Sequence, residues 1–331
     1  MKRSWLTIAI VAGLAFGVAS AQRTQVVIGT GGTGGVYFFY GTQVAQILST
    51  NTDISATAIQ TAASIDNNLL LRDKTNPDRN IYYCELTLPD SALVAYNGTH
   101  EKFKDNPAPS RILWMTYPNY LQIVTTAGSG IKSITDLAGK RVSTGAPSSG
   151  TEYTSLLVLD AAGVKTDGFA KWARLGAAES ADGLANGTLD AYFWSGGIPT
   201  GSISELASTL ARNGKQIALV QLAPDSDAVK TFQERFPGLG DVRTIPADVY
   251  GSPADITTLA FWNLMACPAS MPDDVAYTIT KTVFEHLSDL QAAVKPAVDT
   301  SVENTAKFIG ETTIPFHPGA IKYFKEVGAT Q

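Results

Sequence analysis

The chain has 331 residues, 44% hydrophobic and 17% charged, with a formal net charge of −5 at neutral pH. That composition is ordinary for a folded globular protein. The acidic balance, with no basic run, excludes nucleic acid and an anionic membrane surface as expected partners.

Met1-Lys2-Arg3 is a positive start, WLTIAIVAGLAFGV (5–18) an apolar run, and Ala19-Ser20-Ala21 a small-residue cleavage site. The pattern predicts a secretory signal peptide over 1–21, with Gln22 as the new N-terminus and a periplasmic or extracytoplasmic location. The apolar run falls short of the roughly 20 residues that a spanning helix needs. No Cys follows it, so a lipid anchor is not indicated. The remaining length exceeds one core of typical size, and two lobes are the default expectation. Cys84 and Cys267 lie far apart in apolar, strand-like runs. An exported chain can pair them or bury them as free thiols, and their spacing does not decide.

In chain order, TQVVIG (24–29) reads as a strand, followed by a helix from about Val36 to Ser49. ISATAIQT (54–61) is a second strand, with a helix from about Ser64 to Leu71, and IYYCELTL (81–88) a third, leading into a helix over 89–98. RILWMTYPNYLQIVTTA (111–127) holds two extended runs broken at Tyr117-Pro118. KRVSTG (140–145) is a strand and 151–163 a helix stopped by Gly163, followed by a strand over 189–195 and a helix over 201–214. Residues 272–294 read as one long helix. The alternation predicts an α/β fold with mostly parallel sheets. The break at Pro118 and a second one near Gly251 and Pro253 suggest two crossings between lobes. The expected division is 22–118 with 256–331 as one lobe and 119–255 as the other, with a ligand cleft between them.

Gly29-Thr-Gly31-Gly-Thr-Gly34 is a literal G-x-G-x-x-G between a strand and a helix. A dinucleotide site also needs an acid at the end of the second strand, and that strand ends IQTAAS, with none. No G-x-x-x-x-G-K-[ST] occurs either. The glycines therefore read as a loop that lets a ligand approach the backbone and leaves helix N-terminal N–H groups free for an anion. Tyr37 follows at once and offers a hydroxyl.

Three further segments share this logic. STGAPSSGTEY (143–153) sets Ser148, Ser149, Gly150 and Thr151 at a helix start, more small polar residues than capping alone requires. TAASIDNN (61–68) offers Thr61, Ser64 and Asn67, and FWSGGIPTGS (193–202) places Trp194 before a Gly-Gly loop. All four segments lie at carboxyl ends of strands, where open α/β sheets bind ligands.

Catalytic patterns are poor by comparison. His100, His286 and His317 have no zinc-site spacing, no G-x-S-x-G occurs, and Ser129-Gly-Ile-Lys132 lacks the partners of an S-x-x-K enzyme. No metal, no cofactor and no enzymatic activity are expected.

VVIGTGGTGGVYF resembles the N-terminal signature of the TAXI solute receptors, the extracytoplasmic binding proteins of TRAP-type transporters. The likeness continues through QTAASIDNNLLL, YPNYLQIV, GIKSITDLAGKRVSTGAPSSGTE, LANGTLDAYFWSGGIP and IPADVYGSPADITTLAFWNLM. It implies a two-lobed periplasmic-binding-protein fold of the second topological type. It also implies a monomer that closes on a small carboxylate (glutamate, glutamine, 2-oxoglutarate or a related dicarboxylate) and delivers it to an ion-gradient-driven permease. Family-style contacts fall on Thr33 and Tyr37, on Ser64 and Asn67, on Ser149, Gly150 and Thr151, and more loosely on Trp194 and Gly197. The third strand, YYCELTLPD, departs from more polar relatives, which leaves Glu85 and Thr87 as candidate replacements. A periplasmic hydrolase or transferase, and a receptor that presents its ligand to a sensor, are the competing readings.

Overall fold

The computed structural model describes residues 23–330, so the leader expected over 1–21 lies outside the described residues. The first section of chain is β1 (Gln25–Gly29), α1 (Val36–Asn51), β2 (Ser55–Ile59), α2 (Ser64–Lys74), β3 (Ile81–Thr87) and α3 (Pro89–Tyr96). A 17-residue strand, β4 (Ser110–Thr126), leads out of it. Next come β5 (Arg141–Ser143), α4 (Gly150–Ala161), β6 (Lys171–Ala173), α5 (Ala177–Ala185), β7 (Ala191–Gly196) and α6 (Gly201–Arg212). β8 (Ile217–Val220), α7 (Asp227–Arg235) and β9 (Asp241–Ile245) precede the second long strand, β10 (Ile256–Pro268). The chain ends with α8 (Asp273–Glu285), α9 (Leu287–Ala293), α10 (Val302–Ala306) and α11 (Pro318–Glu326).

The strand order is β2-β1-β3-β10-β4-β7-β5-β6, with β8 on β4 and β9 on β10. β2-β1-β3 and β7-β5-β6 are parallel, as the alternation predicts, but every pairing of β4 and β10 is antiparallel. The expectation of mostly parallel sheets thus holds within each half and fails at the centre. β4 pairs with β10 over its first part and with β7 and β8 over its last. β10 starts against β9 and finishes against β3. These two strands cross between the halves of a two-lobed α/β fold.

Pro118 does not break β4. It pairs with Trp262 beside a register shift between Trp262 and Leu264, and a bulge is where a strand tolerates a missing N–H. Asn263 lies in that shift, and its Nδ2 donates to the Tyr117 carbonyl oxygen at 2.9 Å. A side chain thus satisfies the Tyr117 carbonyl where the ladder is irregular.

Around β1 the core holds Val26, Ile28, Tyr40, Val44, Leu48, Trp114 and Phe324. The far half packs Val124, Tyr192, Ile203, Leu206 and Leu210. A further cluster, including Ile65, Leu88, Leu121, Val142 and Phe193, draws on elements of both halves. Cys84 and Cys267 form a disulfide between β3 and β10. The helix expected over 272–294 is two helices, parted at His286, whose backbone leaves helical geometry (φ −110°, ψ 27°). Among the described residues no helix is long and apolar enough to cross a membrane.

Candidate functional site

A cavity of about 190 Å³ lies at the carboxyl ends of the parallel strands. Residues 31–37 after β1, 60–64 after β2, 146 and 149–151 after β5, 176–179 after β6 and 194–196 of β7 line it. Tyr117, Asn119 and Leu88 complete the wall. Four helices, α1, α2, α4 and α5, begin there, their first residues Val36, Ser64, Gly150 and Ala177 all in the lining. The first-turn N–H groups of a helix have no partner inside it, and the helix dipole adds partial positive charge. The lining holds no Lys, Arg, His or Cys, and its one ionisable carboxylate is Glu179.

The glycine loop meets the site through shape. None of its glycines has positive φ, so left-handed backbone is not the reason for them. A Cβ on Gly29 would lie 2.6 Å from Asn67 Oδ1. One on Gly34 would meet Ser202 and Ala178 at 3.2–3.3 Å, and one on Gly35 would stand 2.9 Å from the Trp194 ring. Gly34 and Gly35 therefore let the loop touch residues from the other half of the sheet. Ala63, by contrast, adopts φ 84°, ψ −146°, a region that costs a non-glycine residue about 1–3 kcal/mol. It is held by Thr61 Oγ1, which accepts from its N–H at 3.0 Å, and by Asn67 N–H, which donates to its carbonyl at 2.9 Å.

Seven of the ten sequence-predicted positions line the cavity: Thr33, Tyr37, Ser64, Ser149, Gly150, Thr151 and Trp194. Tyr37 donates its hydroxyl to Asn263 Oδ1 at 2.5 Å, and burial holds its pKa well above the ordinary phenol value. Ser64 Oγ accepts from Leu88 N–H at 3.1 Å. Ser149 is the N-cap of α4, its Oγ accepting from Glu152 N–H at 3.0 Å, which leaves its own O–H free to donate. Thr151 Oγ1 accepts from Ser195 N–H at 3.2 Å and likewise keeps its proton for another acceptor. Trp194 Nε1 donates to Thr200 Oγ1 at 3.0 Å.

Asn67, Ser148 and Gly197 lie outside the lining. Asn67 is fully buried, donating to the carbonyls of Thr30 and Leu86 and accepting from Thr61, so all its polar atoms serve the framework. Ser148 faces Lys102, whose Nζ donates to its Oγ at 2.5 Å. Gly197 is packed against Tyr117 and Pro296, and its carbonyl accepts from Thr200 Oγ1 at 2.6 Å. Glu85 and Thr87 also stay behind the wall. Burial pushes the Glu85 carboxyl up to about 8, with a Ser110 hydroxyl 3.2 Å away partly offsetting it, and Thr87 Oγ1 accepts from Asn68.

Tyr117, Asn119 and Ser195 are additions that the sequence reading does not contain. Each is buried and lines the cavity, and Tyr117 OH, Asn119 Oδ1 and Ser195 Oγ have no hydrogen-bond partner among the described residues. Most buried polar atoms in folded proteins are paired, and of the nine left unpaired among the described residues these three are the ones whose residues line the cavity. Burial, reinforced by Tyr37 and Tyr40, raises the Tyr117 phenol far above its usual value, so it stays a neutral donor. The spacing of Tyr117 and Asn119, two apart on one strand, puts them on the same face, a signal the Tyr-Pro break obscures. Gly176-Ala-Ala-Glu179, the start of α5, is a further addition that the sequence reading does not contain.

The NMT1-like family model matches residues 28–328. MatC from Rhodopseudomonas palustris, solved with malate bound, is similar in fold, with TM-score 0.51 and 14% identity over 83% of this chain and 88% of that one. A TctC solute-binding protein from Polaromonas, also 14% identical, has TM-score 0.46 over 93% of this chain and 99% of that one. The periplasmic aliphatic sulphonate binding protein SsuA from Escherichia coli has TM-score 0.40 at 12% identity, covering 92% and 83%. At these identities the structural likeness is one of fold, whereas the family match spans nearly the whole described chain. The chain belongs to the NMT1-like family.

Proposed function

We propose that the chain is an exported solute receptor that captures a small carboxylate in this cavity by closure of its two lobes. It then hands the ligand to an ion-gradient-driven membrane permease of the TRAP type. The observation that carries this reading is the meeting of the N-termini of α1, α2 and α4 with three unpartnered buried polar groups at one cavity whose lining has no basic side chain. Carboxylate oxygens accept from free helix N–H groups and from hydroxyls, each bond worth roughly 1.5–3 kcal/mol net. A few such bonds support micromolar affinity, about −8 kcal/mol. The lining hydroxyls have no His or Lys beside them to activate a nucleophile, which favours a receptor over a hydrolase. Glutamate, glutamine, 2-oxoglutarate and malate are the first candidates, malate because MatC was solved with it.

The moving bodies in this reading are 22–118 with 256–331, and 119–255. Contacts that cross between them include Asp66 N–H to the Ser148 carbonyl (3.2 Å), Thr154 Oγ1 to Asp90 Oδ2 (2.5 Å) and Ser202 N–H to the Gly34 carbonyl (3.4 Å). Ser149 and Thr151 would bind the carboxylate from one side while Tyr37, Ser64 and Thr33 close from the other. The double variant Ser149→Ala, Thr151→Val tests this. Calorimetry should show at least a hundredfold weaker carboxylate binding with the fold intact by circular dichroism, and unchanged affinity would refute the placement.

A further inference from the structure

The cavity's charge pattern bears on which carboxylates it can hold. Glu179, on the first turn of α5, is the one side chain in the lining that ordinarily carries charge, and it is exposed at the cavity wall. It has no ion-pair partner among the described residues. Arg174, the basic residue nearest in sequence, is engaged with Glu152. The Glu179 carboxylate folds back towards its own helix start, since a Cβ on Gly176 would lie 2.6 Å from Oε2. The positive end of α5 is therefore already faced by an internal acid, which leaves α1, α2 and α4 for the ligand.

The three unpartnered atoms make the same point from the other side. Tyr117 OH and Ser195 Oγ can donate or accept, but Asn119 Oδ1 is an acceptor that only a ligand N–H or O–H can satisfy. A second carboxylate brings no donor and would have Glu179 and Asn119 Oδ1 among its neighbours, with no cation to offset them. A neutral amide, a hydroxyl or an ammonium group brings no negative charge to the Glu179 side of the lining and carries a proton that Asn119 Oδ1 can accept.

We infer that Glu179 is a specificity-determining residue: it restricts the site to ligands with a single carboxylate whose far end carries no negative charge, and so rejects dicarboxylates. This rests on the carboxylate-receptor reading above and narrows its candidates, keeping glutamine and setting aside glutamate, 2-oxoglutarate and malate, each of which carries two carboxylates. Like charges repel across a partly wet cavity, and that repulsion is weakened by salt.

The test is calorimetric titration of the ligand-stripped protein with matched acid and amide pairs, succinate against succinamate and glutamate against glutamine. Wild type should bind the amide member at least tenfold more tightly than the diacid. Glu179→Gln should close that gap by strengthening the diacid at least tenfold while moving the amide member less than threefold. The wild-type gap should shrink on going from low to high salt, a change that a merely structural role would not produce. Preference of wild type for the diacid, or an unchanged ratio in Glu179→Gln, overturns the inference while leaving the carboxylate reading standing. Binding of neither member of either pair, with a neutral solute binding instead, overturns both. The side chain is exposed, and an unchanged melting temperature in Glu179→Gln confirms that the variant folds.

Discussion

At the residue scale, the polar groups divide into those the framework uses and those it leaves open. Asn67 and Tyr117 illustrate the two cases, one with every polar atom bonded and the other with its hydroxyl idle. Removing an idle buried hydroxyl relieves an unmet desolvation cost, so Tyr117→Phe should leave the ligand-free protein as stable as wild type, or about 1 kcal/mol more stable. The same change should weaken ligand binding about tenfold. Lost stability with unchanged affinity would assign Tyr117 to the framework. Glu85 supplies a pH test. Its folded carboxyl is raised from 4.5 to about 8 by burial, so the folded state keeps a proton that the unfolded state has released. Stability should therefore fall as pH rises from about 4.5 to 8, on the order of 5 kcal/mol in total, and level off above. Asp90, raised to about 6 by burial, adds to the lower part of that window. Denaturant melts across the range should show this slope flattened in Glu85→Gln, and superimposable curves for the two proteins would contradict it. Composition and motif spacing give the residue types of the site, but whether Asn67 or Ser148 faces the cavity depends on partners such as Leu86 and Lys102 that only the tertiary structure brings near.

At the element scale, the recurring unit is a strand, a small-residue loop and a helix start. Three of the four helix starts at the cavity were legible from that pattern, because Gly, Ser and Thr runs after an apolar segment have few other uses. The fourth, at α5, was hidden because β6 has three residues and carries no period-2 signal. β8, α7 and β9 are likewise absent from the sequence reading. Gly150 shows why small residues recur. A Cβ there would lie 2.5 Å from Ser64 Oγ and 2.6 Å from Leu88 Cδ1, residues of the opposing half. Gly150→Ala should therefore act as a wedge, costing about 1–3 kcal/mol where the halves meet. Ligand affinity should fall about tenfold or more, while the ligand-free melting temperature changes little. Wild-type affinity in this variant would mean that the contact does not tighten on binding.

At the scale of the whole molecule, the α/β class and two lobes followed from alternation and length, but the route between lobes did not. Tyr117-Pro118 reads as a break in isolation, yet β10 supplies a bulge and Asn263 that let β4 run through it. Two continuous strands make a connection that lets the lobes move while remaining one sheet. The disulfide fixes β10 to β3 on one side of that connection. In the proposed reading, closure on a shared ligand follows from differential contact, since the closed form would have both walls of the cavity in place.

The most direct measurement is a thermal-shift titration of purified, unfolded and refolded protein, freed of carried ligand. The titrants are glutamate, glutamine, 2-oxoglutarate, malate and neutral sugars. A receptor for a small carboxylate should show a saturable rise with at least one of the acids, about 2.7 kcal/mol of stabilisation at a hundredfold excess over Kd, and none with the sugars. A rise with a sugar and with no carboxylate would contradict the anion site that the starts of α1, α2 and α4 suggest.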